Sequence, residues 1–133
     1  MNVAEIAMPF LLTSPELTLI NRDGVSVALI DRWARVANPQ DLLDAMATAR
    51  YLGTGALSAH AETLGEEFFD LKTRIAGEML QKFSNYRMRF MIIGDFSNIK
   101  SRSLRDFIRE SNEGKTVCFA ASLDEAFAWL GAR

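Results

Sequence analysis

The sequence of 133 residues predicts a single α/β domain with a mostly parallel, five-stranded sheet, an N-terminal hairpin and flanking helices. Two apolar runs near the start are separated by an Asp-Gly pair, which is a strong short-range signal for a hairpin turn. Helical and strand patterns then alternate from Asn38 onward, as in folds whose parallel strands are joined by right-handed crossovers. At the centre, an amphipathic helix pattern runs directly into a bulky apolar run that Gly94 closes.

The composition is typical of a globular domain, with 49% hydrophobic and 24% charged residues. A formal net charge of −2 gives no electrostatic reason to bind a phosphate backbone, so we expect no nucleic-acid partner. The single cysteine, Cys118, excludes an intramolecular disulfide and fits a reducing compartment. The apolar run 6–12 is too short to span a membrane and lacks a basic flank, so we expect a cytoplasmic protein without a membrane partner.

Local turn and capping signals predict the first elements. Residues 17–20 and 25–30 form the hairpin, and residues 1–14 precede the domain of residues 15–133 as a leader. Asn38 followed by Pro39 predicts a helix start, because Asn caps free amides and Pro fits the first helical position. We expect Gly53 to end this helix and residues 55–61 to form a third strand. Helical spacing predicts its buried face: Leu42, Ala45, Met46 and Ala49.

Residues 66–86 are predicted to form one central helix that feeds a buried, interior strand over residues 90–93. The helix residues expected to face the sheet recur every four positions: Leu71, Ile75, Met79 and Phe83. The prediction therefore places the largest part of the core between this helix and this strand.

The last third of the chain repeats the alternation. Ser101 or Ser103 is predicted to cap a helix that Gly114 ends, and residues 116–121 form the last strand. Ser122 and Glu125 have the spacing of a capping box, which predicts a final helix. Apolar spacing predicts the buried faces of these two helices: Leu104, Phe107 and Ile108, then Leu123, Ala126, Phe127 and Leu130.

Several separated blocks resemble one family in order and spacing. The blocks are residues 68–86, 93–97, 103–108 and 110–114, and they closely resemble the bacterial family called domain of unknown function 4180. The resemblance covers about residues 15–131. It implies Gly where this chain has Arg74. A bulky cation there would narrow a pocket at the helix start or change the charge of that pocket. The family carries no assigned activity that the resemblance implies for this chain.

The order of strands and helices is also similar to the STAS domains of anti-sigma-factor antagonists. These small regulators bind partner proteins and are switched by phosphorylation of a Ser at the start of a helix. The resemblance implies a STAS-like fold and a regulatory role. The Asp-Ser-Ser-Gly-like turn of those regulators corresponds here to residues 70–74, in which Thr73 is the only hydroxyl.

Two polar loops are expected at the carboxyl ends of the parallel strands, where open α/β sheets collect functional groups. We call the eight residues of these loops the strand-end surface, and we expect them to bind a protein partner or a small anion: Asp70, Lys72, Thr73, Arg74, Asp95, Ser97, Lys100 and Ser103. The alternative is structural, with Asp70 and a serine capping helices and the basic side chains pairing with nearby acids.

Other chemistry has weaker support in the sequence. His60 and Glu62 would share a face of the third strand, but no nucleophile or substrate group is apparent nearby, so we expect a structural or surface histidine. Cys118 lies in an apolar strand and is predicted to pack in the core. One His and one Cys do not supply a closed zinc site, and we predict no metal, no cofactor and no catalytic residue.

The sequence therefore predicts a non-enzymatic regulatory or protein-interaction module that acts through the strand-end surface. The alternative is a small-molecule-binding protein or an enzyme with a pocket at the same edge. The apolar run 6–12 would be a liability if it were exposed, so it is expected to pack on its own domain or on a second copy as a homodimer.

Overall fold

The structure is a computed structural model, and it describes residues 16–36 and 38–132. Its five strands form one mixed sheet in the order of the chain: β1 Leu17–Arg22, β2 Val25–Ile30, β3 Ala56–His60, β4 Arg89–Ile93 and β5 Val117–Ala120. β1 and β2 are antiparallel and the other neighbours are parallel, which confirms the predicted α/β class. The predicted leader 1–14, with its apolar run 6–12, lies outside the described residues.

In the described part of the chain, six α-helices connect and flank the strands: α1 Pro39–Tyr51, α2 Ala61–Leu64, α3 Glu66–Phe69, α4 Ile75–Asn85, α5 Arg102–Glu113 and α6 Leu123–Gly131. Buried residues of α1 and α4 share one core with one face of the sheet, and α5 packs against that core. Because strand order follows chain order, crossovers of one hand place these helices on one face. α6 follows the last strand and packs in a second, smaller core.

The N-terminal hairpin is confirmed, and β1 is two residues longer than predicted. Asp23 and Gly24 have φ angles of 53° and 83°, the left-handed conformations that a two-residue turn of this kind requires. The pairing runs from Leu17 opposite Ile30 to Arg22 opposite Val25.

The start, buried face and end of α1 agree with the prediction. The Asn38 side chain accepts a hydrogen bond from the Asp41 amide, and Pro39 is the first helical residue. Gly53, with φ of 93°, follows the end of the helix. The four predicted core residues are all buried: Leu42, Ala45, Met46 and Ala49.

The prediction of one continuous helix over residues 66–86 is wrong. The chain forms α3, then a 3₁₀ turn over Leu71–Thr73, then α4. Arg74 has φ of 62°, a left-handed conformation that ends the turn and interrupts helical geometry. Met79 and Phe83 are buried as predicted and Ile75 is partly buried, whereas Leu71 lies in the turn and is absent from the cores of the described residues.

The last elements agree with the prediction in type and order, but β5 is one residue shorter at each end. Of the seven predicted buried-face residues, only Leu104 and Ala126 are buried, while the other five are partly buried. β4 is interior, Ser101 caps α5, and Gly114 follows the end of that helix. Ser122 accepts a hydrogen bond from the Glu125 amide, while the Glu125 carboxylate reaches back to the Ala121 amide. The spacing did not single out Trp129, which is 9% exposed and belongs to the second core together with the buried Cys118.

Candidate functional site

The two loops of the strand-end surface lie in consecutive crossovers. Residues 70–74 connect α3 to α4, and residues 94–101 connect β4 to α5. The rings of Phe69 and Phe96, which adjoin Asp70 and Asp95 in the chain, have centroids 6.1 Å apart. Both rings also contact Phe119 of β5, at 6.4 Å and 5.3 Å. An aromatic cluster therefore joins the two loops.

The polar groups of the first loop are used largely within the loop. The Asp70 carboxylate accepts a hydrogen bond from the Lys72 amide at 3.1 Å, so it caps the 3₁₀ turn and not α4. The Thr73 hydroxyl lies 2.8 Å from the carbonyl oxygens of both Glu67 and Asp70, to which it donates, and it accepts from the Ile75 amide. A phosphate on Thr73 would replace this donor with acceptor oxygens that face two carbonyls, so this geometry opposes a phosphate in that position.

The second loop is organised by Asp95. Its carboxylate accepts hydrogen bonds from the hydroxyl and the amide of Ser97. These bonds, the side-chain one first, lower the pKa of the Asp95 carboxyl and keep it ionised at neutral pH. Ser101 caps α5 through the Leu104 amide, whereas Ser103 lies exposed in the first turn of that helix.

Replacing Ser97 by Ala should raise the pKa of Asp95 toward its ordinary value, because the hydrogen bond from the Ser97 hydroxyl, which lowers this pKa more than the bond from the amide, is lost. An acid whose pKa is lowered by folding stabilises the fold above its unfolded pKa, and this contribution disappears as the pH falls through the folded pKa. Carbon-detected NMR titration of the aspartate carboxyls measures the shift, and Ser103→Ala is the control. An unchanged Asp95 pKa in Ser97→Ala would contradict the assignment.

Among the described residues, the cations of the strand-end surface make no side-chain hydrogen bonds, in contrast to Asp70, Thr73, Asp95 and Ser97. Within residues 16–36 and 38–132, the side chains of Lys72, Arg74 and Lys100 have no hydrogen bond or ion pair. The two ion pairs found there lie elsewhere, in Arg22–Asp124 and Arg109–Asp106. The eight residues of the strand-end surface are all exposed. The structural alternative thus accounts for the capping by Asp70 but leaves these three cations without acid partners.

A cavity of about 220 Å³ lies near this end of the sheet, between α1, α4 and the residues that follow β2 and β3. It is mostly apolar and its lining contains none of the eight residues: Val36, Asn38, Pro39, Leu42, Leu64, Glu67, Phe68, Ile75 and Met79. The strand-end surface is therefore an exposed face beside this cavity and does not line it.

His60 has a partner that the sequence did not suggest. Its Nδ1 lies 3.2 Å from Nη2 of Arg32, which follows the neighbouring strand β2. Burial first, then the Arg32 guanidinium, lowers the pKa of His60, while Glu62 acts in the opposite direction. β3 ends at His60 and Glu62 lies in α2, so the predicted shared strand face of His60 and Glu62 is wrong. The sequence signal that could have suggested the contact between Arg32 and His60 was the run Asp31-Arg32-Trp33 directly after a predicted strand.

Two kinds of feature are absent from the described part of the chain. No group of three or more His, Cys, Asp or Glu side chains there is arranged to hold a metal ion. None of its helices has both the length and the apolar character needed to cross a membrane.

The sequence blocks that resemble a family cover the end of α3 through α4, the residues that follow β4, and most of α5. The family model described as domain of unknown function (DUF4180) matches residues 22–130. The chain belongs to the DUF4180 family. No curated protein and no solved structure matched the chain.

The DUF4180 match includes the whole strand-end surface. The φ angle of 62° at Arg74 is one that Gly adopts without steric cost, whereas a residue with a Cβ does not. The Gly expected from the family resemblance therefore fits the backbone, and the Arg of this DUF4180 chain adds a free cation at that turn.

Proposed function

We propose that this DUF4180 domain is a non-enzymatic regulatory or protein-interaction module that binds an acidic segment of a partner, or a small anion, through the strand-end surface. The observation that carries the proposal is the set of three exposed cations without acid partners on two loops that the Phe69–Phe96 contact joins. Free cations on a preformed surface favour charge-assisted hydrogen bonds to carboxylates or phosphates.

The exposure of the whole surface supports a binding role over catalysis. General acids and bases act with a pKa near the working pH, usually in a partly enclosed site. Asp95 has its pKa moved down, away from neutral pH, and it lies in the open. Similarity to STAS regulators in the order of elements supports the same role at the level of fold alone.

The alternative, a small-molecule-binding protein or enzyme, would use the cavity of about 220 Å³. Since none of the eight residues lines that cavity, substitutions separate the two functions. Changes at Lys72 or Arg74 test the surface, whereas changes at Ile75 or Met79 test the cavity.

Reversing two charges with Lys72→Glu and Arg74→Glu should weaken partner binding by at least about tenfold, because acids would then face the acidic segment. Folding should persist, since exposed charges usually change stability by no more than about 0.5 kcal/mol each. The test is affinity capture from a lysate of the native host with wild-type and double-variant protein, followed by quantitative mass spectrometry and an affinity measurement for each enriched protein.

The matched control is Lys82→Glu with Lys115→Glu, which makes the same change in net charge. Both lysines are exposed and lie toward the other end of the parallel strands, at the end of α4 and before β5. A partner that binds the Lys72 and Arg74 double variant as tightly as wild type, or that is lost equally with the control, would overturn the proposal.

A further inference from the structure

The side chains of Arg32 and His60 are in contact, and together with Trp33, the residue after Arg32, they form what we call the Arg–His corner. They follow or end β2 and β3 and do not belong to the strand-end surface. A guanidinium has only hydrogen-bond donors, so the 3.2 Å contact between Arg32 and Nδ1 of His60 requires that this nitrogen accept. The geometry thus assigns a neutral imidazole with its proton on Nε2.

Two acids near the Arg–His corner, Glu16 and Asp31, are bonded to other groups, whereas Glu62 acts on His60 through its charge. The Glu16 carboxylate accepts from the Trp33 indole N–H at 3.2 Å, and Asp31 accepts from the Thr18 hydroxyl at 2.6 Å. In the described part of the chain, Arg32 makes no ion pair. Its guanidinium therefore has a neutral ring nitrogen where a carboxylate would usually be found.

The surroundings of His60 leave this position open to a ligand. Arg32 approaches it from the loop after β2 and Glu62 is the nearby charge of α2, while β4 presents apolar Ile93 opposite it in register. Arg32 is exposed and Trp33 has 77% of its surface exposed. Trp33 follows Arg32 directly in the chain, and an exposed indole together with a guanidinium that makes no ion pair among the described residues suits an anion attached to an apolar or aromatic body.

We propose that the Arg–His corner binds the phosphate group of a small ligand, with Arg32 and protonated His60 as the two donors. Arg32 turns from the imidazole to the phosphate oxygens, with which guanidinium forms paired hydrogen bonds. His60 takes up a proton and donates to the same group. Because the ligand favours the charged imidazole, binding raises the pKa of His60, and by linkage the affinity increases as the pH falls through that value.

The experiment uses the fact that His60 is the only histidine of the chain. Its imidazole proton signals are therefore assignable without ambiguity in an NMR pH titration of the full chain. Phenyl phosphate and inorganic phosphate are each titrated at constant ionic strength, with acetate and chloride as comparison anions. We expect a saturable rise of the His60 pKa by about one unit, which corresponds to tighter binding by about tenfold to the protonated form.

Arg32→Gln should abolish this rise, whereas Arg35→Gln, an exposed arginine of the same loop, should preserve it. His60→Gln should weaken the quenching of Trp33 fluorescence by phenyl phosphate, which provides a readout independent of the histidine signal. The phosphate site would be overturned if the rise of the His60 pKa with phosphate were no larger than the rise with chloride or acetate. It would also be overturned if the rise persisted in Arg32→Gln. These outcomes are independent of the strand-end surface, whose charges are unchanged in all these variants.

Discussion

Replacing Phe83 by Ala should lower the free energy of unfolding by about 3–5 kcal/mol, as for other truncations of buried aromatic residues. Phe83 is 0% exposed, and its ring stacks on that of Phe90 with centroids 4.3 Å apart and an angle of 3° between the planes. The substitution would remove this contact and leave a cavity between α4 and β4, because a packed core relaxes only partly. The change is expected to shift the urea midpoint by more than about 1 M.

Tyr86→Ala is the control for this prediction. Tyr86 follows α4 and is 59% exposed, so its truncation should change stability by no more than about 0.5 kcal/mol. Equal midpoints for wild type and Phe83→Ala would show that the core between α4 and β4 is not packed as described.

Replacing Asn112 by Ala should destabilise the domain by about 2–3 kcal/mol, because two backbone groups of β5 would lose their partner. The Asn112 side chain accepts from the Phe119 amide at 2.6 Å and donates to the Phe119 carbonyl at 3.2 Å. Within the residues that the structure describes, β5 is the last strand of the sheet, so its outer backbone groups have no neighbouring strand there. A side chain of α5 thus takes the place of a sixth strand at this position.

Amide hydrogen exchange provides a local measurement beside the denaturation midpoint. The Phe119 amide should exchange faster in Asn112→Ala by more than the global loss of stability explains. Glu113→Ala, an exposed neighbour on the same helix, should leave both measurements unchanged. Asn112→Asp keeps the acceptor but turns the donor into a second acceptor, so it should also destabilise the domain. Unchanged Phe119 exchange in Asn112→Ala would contradict the assigned role.

The elements that the sequence predicted correctly begin or end with strong local signals. Asp-Gly requires the backbone of a tight turn, Asn38-Pro39 supplies a cap and a fixed φ, and Ser122 with Glu125 satisfies free amides. These effects act over a few residues, so a single sequence is sufficient to detect them. The regular alternation of helices and strands then predicted parallel pairing, because few topologies are compatible with it.

The strand-end surface could be predicted only in part. The sequence placed the second loop directly after a buried strand, and residues 94–101 do follow β4, whereas residues 70–74 follow α3. It contained no signal that Phe69 and Phe96 pack together, or that the free cations lack acid partners. Contacts of this kind join residues far apart in the chain and depend on how the crossovers pack.

By itself, the sequence determined the fold class, most element boundaries and the core faces of α1 and α4. Only the tertiary structure decided the break of the central helix at Arg74, the burial of Trp129, the closure of β5 by Asn112 and the contact of Arg32 with His60. Apolar periodicity indicates which face of a helix is buried on average. A single left-handed residue interrupts the helix without changing this apolar spacing, so the pattern does not reveal the break. Side-chain pairing across the fold is determined by packing that no local pattern encodes.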